Sequence, residues 1–165
     1  MLGPVLAAAA ALVAPVHTGA TLGSIYIPRL HERTPFFQGT SQRVLARGPG
    51  HYAWTPLPST KHGTVAIAGH RVTAVPPRPY GPFRYLNRLR TNDAIVVRFR
   101  GVRYVYRVYQ KRVVRPSDVW VVAQARRFPK LVLSACTPPH SAAFRLVIMA
   151  SLRSAVPTQG ESGRT

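Results

Sequence analysis

The stretch AIVVRFRGVRYVYRVY, Ala94 to Tyr109, decides the fold class of this 165-residue chain. Two β-rich runs, Ala94 to Phe99 and Val102 to Tyr109, are separated only by Arg100 and Gly101, which reads as a two-residue hairpin connection. Within the second run Val102, Tyr104, Tyr106 and Val108 share one parity, and Arg103, Val105, Arg107 and Tyr109 share the other. Alternation of this kind marks an antiparallel strand with one face in a core and the other half exposed.

Outward from this hairpin the chain keeps yielding short strands. Val113 and Val114 extend the sheet until Pro116 to Asp118 turn it, and the apolar Trp120 to Ala123 fits a helix end or a strand. Leu131 to Ala135 and Arg145 to Leu152 read as strands joined by a loop holding Pro138 and Pro139. On the N-terminal side, Phe83, Leu86 and Leu89 are spaced for a helical turn or two, and the four prolines of Val72 to Pro82 make a loop. Thr64 to Ala68 is a buried strand running into Gly69 and His70. Pro49, Gly50, Pro56 and Pro58 form an irregular stretch around Trp54. Ser41 to Arg47 fits one short helix, capped by Thr40 or Ser41 and closed by Gly48, and Thr34 to Gly39 reads as a turn-rich bridge. Leu22 to Ile27 is a β-branched strand that Pro28 ends. Seven or so short strands with few helices indicate an all-β protein, a closed or nearly closed barrel.

Three regions follow: an apolar N-terminal segment over residues 1–21, the barrel over 22–152, and a polar tail over 153–165 expected to be disordered. The run from Met1 to Val16 is shorter than the roughly 20 residues of a membrane span. Its length suits the core of an export signal, although no basic residue precedes it, and a soluble alanine-rich helix is the competing reading.

Composition bounds the chemistry. Twenty-three basic residues stand against four acids, Glu32, Asp93, Asp118 and Glu161, for a formal charge of +19. Paired-carboxylate catalysis and carboxylate cages for calcium are therefore poorly supplied. The single cysteine, Cys136, excludes an intramolecular disulfide and multi-cysteine metal frameworks. A surface this basic attracts polyanions such as nucleic acid or anionic lipid. Yet only Lys61, Lys111 and Lys130 are lysine, and the arginine excess amid alanine, valine and proline equally fits a compositional bias. No basic block is long enough for a nucleic-acid arm, so no nucleic-acid partner is expected.

Cys136 stands just past a buried strand, at the lip of a proline-restricted loop. His70 likewise follows an apolar strand, and Arg145 opens the strand after the cysteine. If these strands are neighbours, the three side chains share one mouth of the barrel. A thiolate is a nucleophile that nearby cations favour, and an imidazole can protonate a departing amine and deprotonate an incoming one. A guanidinium keeps its charge and can hold a developing oxyanion. His17, His31, His51 and His62 read as surface or hydrogen-bonded structural residues. Tyr80 and Tyr85 offer aromatic walls for a peptide groove, although Tyr85 beside Leu86 equally fits a packing role.

Motifs at these positions resemble the sortases, cysteine transpeptidases of Gram-positive cell surfaces. GTVAIAGHR, Gly63 to Arg71, is similar to their histidine motif, and LVLSACTPPHSAAFRLVI, Leu131 to Ile148, to their cysteine strand, loop and arginine strand. GPGHYAWTPLP (Gly48 to Pro58), GPFRYLNRL (from Gly81) and SDVWVV (from Ser117) match in kind, and the likeness over about residues 22–152 is greatest to the class E enzymes of actinobacteria. The resemblance implies an eight-stranded barrel with His70, Cys136 and Arg145 as catalytic residues and no cofactor. It implies cleavage of an LAxTG- or LPxTG-like C-terminal sorting signal between threonine and glycine, through a thioester on Cys136. The acyl group would pass to an amine of a peptidoglycan precursor or a pilin. The work would be done at the extracytoplasmic membrane surface. The family's TLxTC becomes Val132, Leu133, Ser134, Ala135, Cys136, so two threonines are missing. Ser134 and Ala135 are expected to border the substrate. Loss of a hydroxyl at Ala135 would cost about two- to twelve-fold in rate if it held one ordinary hydrogen bond. The competing functions are a basic β-barrel that binds nucleic acid or anionic polymers, and a sortase-like barrel with impaired turnover.

Overall fold

The computed structural model describes residues 15–73 and 80–158, and among them eight strands close on themselves. In chain order these are β1 (Thr21–Ile27), β2 (Glu32–Gln38), β3 (Gly50–His51), β4 (Gly63–Ala68), β5 (Ala94–Phe99), β6 (Val102–Val114), β7 (Pro129–Thr137) and β8 (Phe144–Pro157). Around the barrel the order is β1-β2-β3-β4-β7-β8-β6-β5, and β1 pairs with β5 to complete the circle. The β2–β3 and β4–β7 pairs are parallel, and the other neighbours are antiparallel.

The hairpin forms as its alternation predicts. Arg100 and Gly101 both have positive φ, 47° and 71°, as a primed two-residue turn demands. Tyr104, Tyr106 and Val108 of β6 point into the barrel with Ile95 and Val97 of β5, and Leu131, Leu133 and Ala135 of β7 join them. The opposite face of β4, β7 and β8 is also buried. Ala66, Val132, Val147 and Met149 pack there under Val121 and Val122 of a 3-10 turn, Val119–Val122. This second layer explains why β4 reads as an unbroken apolar run: all six of its residues are buried.

Several expectations are corrected. Thr34 to Gly39 is no bridge, since β2 covers most of it and pairs with β1 even at Pro35, opposite Ser24. Gly50 and His51 form a two-residue strand inside the irregular stretch. The Trp120 region is a 3-10 turn, and the segment around Leu86 is a 3-10 turn limited to Leu86–Arg88. The tail is ordered further than expected, because Ala155 and Pro157 of β8 pair with Tyr104 and Val102 of β6. The short helix α1 (Gln42–Leu45) is capped by Ser41, whose hydroxyl accepts from the Val44 amide. Most of the N-terminal segment (residues 1–14), the end of the tail (159–165) and residues 74–79 of the proline loop lie outside the described residues. Among those described, no helix is long and apolar enough to cross a membrane.

Candidate active site

The parallel pairing of β4 with β7 brings the histidine strand beside the cysteine strand. Ala68 is level with Ser134, and the ladder gains one further bond from the Gly69 amide to the Ser134 carbonyl at 2.9 Å. His70 follows two residues beyond Ala68, as Cys136 follows two residues beyond Ser134 on the neighbouring strand. On the other side of β7, Cys136 is the direct antiparallel partner of Arg145 on β8. Strand alternation puts Cys136 on the outward parity of Val132 and Ser134, and Arg145 on that of Val147. Where the covering layer of Val121 and Val122 ends, this row reaches half-exposed positions: His70, Cys136 and Arg145 are each of intermediate exposure. Cys136 is a free thiol.

The backbone of His70 is clamped by the following segment. Its carbonyl accepts from the Phe83 amide at 3.0 Å, and the Arg71 carbonyl accepts from the Gly81 amide at 3.0 Å. A Cβ at Gly81 would collide with the His70 carbonyl, and one at Gly69 would come within 2.5 Å of the Phe83 ring. Only glycine permits these two approaches. Partial burial holds the His70 imidazole below its ordinary value. Arg145 Nη1 donates to the carbonyls of Ala142 (3.0 Å) and Phe144 (3.1 Å), fixing the guanidinium at the mouth of the loop it follows.

The flanking residues differ from expectation in position. Ala135 is only 3 % exposed and belongs to the barrel interior, because alternation turns it away from the face that carries Cys136. The expected substrate-bordering role of its side chain is therefore corrected. Ser134 is on the outward parity but buried, with its hydroxyl 3.3 Å from Tyr52 Oη. Tyr80 and Tyr85 are at the surface, so Tyr85 is not a core residue. Both rings carry arginine: Arg84 lies over each of them, and Arg88 over Tyr85 at 4.1 Å. His51 is buried, with Nδ1 2.8 Å from Gln38 Oε1 and Nε2 3.0 Å from the Pro56 carbonyl, as suits a structural histidine.

One residue of the region escaped notice in the sequence. Arg71 is buried and ties the histidine loop to the cysteine strand: Nη1 donates to Thr137 Oγ1 (2.9 Å), Nη2 to Asn87 Oδ1 (2.9 Å) and Nε to the Arg84 carbonyl (3.1 Å). Desolvation lowers its pKa. The only available signal was an arginine directly after the histidine, and twenty arginines in the chain diluted it.

Comparison with known proteins bears on this arrangement. A family profile described as "Sortase domain" matches residues 25–153. Sortase SrtE1 of Streptomyces coelicolor is 33% identical over 148 residues, covering 79% of this chain and 40% of its own length. Sortase D of Bacillus subtilis is 25% identical over 121 residues, covering 73% of this chain and 57% of its own. The chain thus spans well under two thirds of both curated relatives. Among solved structures, Sortase E1 from Streptomyces coelicolor, with a tripeptide in its active site, superposes with a TM-score of 0.74 at 30% identity, covering 84% of this chain and 91% of that one. The SrtF sortase of Corynebacterium diphtheriae superposes with a TM-score of 0.79 at 25% identity, covering 90% and 92%.

Proposed function

The chain belongs to the sortase family, and from that premise we propose that it is a cysteine transpeptidase in which His70, Cys136 and Arg145 act on one scissile amide. The observation that carries the proposal is the register: Cys136 stands directly opposite Arg145, and His70 follows the strand that runs parallel to the cysteine's own. In this reading the Cys136 thiolate attacks the carbonyl carbon of the peptide. The carbon–nitrogen bond breaks as the His70 imidazolium gives its proton to the departing amine, leaving the acyl group as a thioester. An incoming amine then attacks the thioester carbon, neutral His70 takes the amine's proton, and the carbon–sulfur bond breaks to release the thiolate. Arg145 cannot lose its charge, so it holds the carbonyl oxygen as negative charge develops there. Its Nη1 is occupied by loop carbonyls, which leaves Nε and Nη2 for that task.

The substrate we propose is a sorting-signal peptide of the LAxTG or LPxTG kind, cleaved between threonine and glycine. The acceptor is an amine of a peptidoglycan precursor or pilin, and the site of action is the outer face of a Gram-positive cell membrane. Likeness to a sortase E1 solved with a tripeptide in its active site supports the peptide substrate. The test is cleavage of a fluorogenic sorting-signal peptide by three proteins. The wild type is expected to cleave between threonine and glycine, Cys136→Ala to show no turnover, and Arg145→Ala to lose about 100- to 1,000-fold in kcat. Full activity in the cysteine variant would reject the mechanism.

A further inference from the structure

Among the described residues the β4–β7 ladder ends at the bond from the Gly69 amide to the Ser134 carbonyl, short of both His70 and Cys136. Past that point a side chain spans the two segments. Arg71, the residue after His70, donates from Nη1 to Oγ1 of Thr137, the residue after Cys136, at 2.9 Å. Thr137 ends β7, and alternation turns its side chain away from the face that carries Cys136, so the bond closes behind the thiol and not across it. The rest of the guanidinium is anchored too, Nη2 on Asn87 Oδ1 at 2.9 Å and Nε on the Arg84 carbonyl at 3.1 Å. Asn87 lies in the 3-10 turn Leu86–Arg88. Leu86 of that turn is fully buried in the core, and the Asn87 carbonyl accepts from Lys111 Nζ at 2.7 Å, which fixes the far anchor.

Arg71 is 8 % exposed, and its three acceptors, a hydroxyl, an amide and a peptide carbonyl, are all neutral. Burying a guanidinium without a carboxylate is costly to the fold. What it supplies is direction: a planar fork holds three acceptors in one fixed geometry, which a lysine ammonium cannot reproduce. The arginine itself is one peptide unit from His70, and one of its acceptors is one peptide unit from Cys136. We propose that Arg71 is a positioning residue for the transfer reaction, which through Thr137 fixes the approach of the His70 imidazole to the Cys136 thiol without touching the substrate. Proton transfer at the imidazole requires hydrogen-bond reach, and misplacement by about 1 Å can cost on the order of 100-fold. The effect therefore falls on kcat and leaves peptide binding in place.

This inference rests on the transpeptidase reading, and steady-state cleavage of a sorting-signal peptide separates the two. Rates are expressed per folded molecule, with a thermal melt for each variant. Arg71→Lys keeps the charge but not the fork, and is expected to lower kcat about 100-fold with KM near the wild-type value. Thr137→Val removes one acceptor and is expected to lower kcat about tenfold. Thr137→Ser, which keeps the hydroxyl, is expected to recover most of that loss. A merely structural Arg71 would shift the melts without this split between valine and serine. If Arg71→Lys does not fold, the two Thr137 variants decide by themselves. Wild-type kcat in a folded Arg71→Lys or in Thr137→Val, a loss confined to KM, or equal losses in Thr137→Val and Thr137→Ser overturns the inference and leaves the transpeptidase reading standing. Absence of any peptide cleavage by the wild type overturns both.

Discussion

Tyr106 is fully buried in the barrel, and its hydroxyl has no hydrogen-bond partner among the described residues. Desolvation, with Tyr104 adding to it, raises the phenol's pKa far above its ordinary value, so the group is a neutral polar atom in an apolar core. Leaving such an atom unpaired costs more than a hydrogen bond would gain. Tyr106→Phe is therefore expected to stabilise the fold by about 1 kcal/mol, or about 2–4 °C in the thermal midpoint. A fall of that size instead would mean that the hydroxyl is paired. His51 gives a pH prediction. Burial lowers its pKa, partly opposed by the Pro56 carbonyl, so the unfolded chain takes up this proton first as pH falls. His70 shifts in the same direction. Stability is expected to be level above the ordinary imidazole value of about 6.5 and to decline below it. Urea midpoints measured from pH 8 to pH 5 check this, and a rise toward acid would contradict it. At this scale the sequence supported a structural role for His51, but the inward turn of Ala135 depended on strand phase. A short motif gives no phase until its neighbours are known.

The element that matters most for the site is one that sequence patterns described loosely. Residues 81–83 have little helical or strand character, yet their amides hold the carbonyls of His70 and Arg71. Gly81 is required because its backbone lies against the His70 carbonyl. Gly81→Ala must displace the histidine, and misplacement by about 1 Å can cost on the order of 100-fold. The expected result is a drop of that order in kcat/KM for peptide cleavage while Cys136 still reacts with a thiol reagent. Unchanged cleavage would show that the clamp does not position His70. The other elements divide by how local their causes are. Strands β4 to β8 could be read from apolar runs and alternation, because burial on one or both faces dictates those patterns. β2 could not, since Pro35 and neighbouring turn residues mask a strand whose pairing comes from β1. The end of β8 was hidden for the same reason: Ser154 and its neighbours are polar, and only β6 makes them a strand.

Across the whole molecule, closure of the barrel makes a site from residues that are far apart in the chain. β4 and β7 are separated by the β5–β6 hairpin, and their parallel contact exists only because the sheet wraps around and returns. The Cys136–Arg145 half of the site follows from a local hairpin-like return and was readable from spacing. The His70 half depends on topology, and the resemblance to known motifs anticipated it more firmly than any pattern in the residues. Arg71 went unread because its bonds cross to Thr137, on the far side of that same closure. The central claim is that this closure creates a nucleophilic cysteine that carries an acyl group. Intact-mass measurement after brief exposure to a sorting-signal peptide tests it most directly. The account predicts an adduct equal to the peptide up to its threonine, localised to Cys136 and released by hydroxylamine as the threonine hydroxamate. Cleavage of the peptide with Cys136 unmodified, or an adduct that persists in Cys136→Ala, would contradict it.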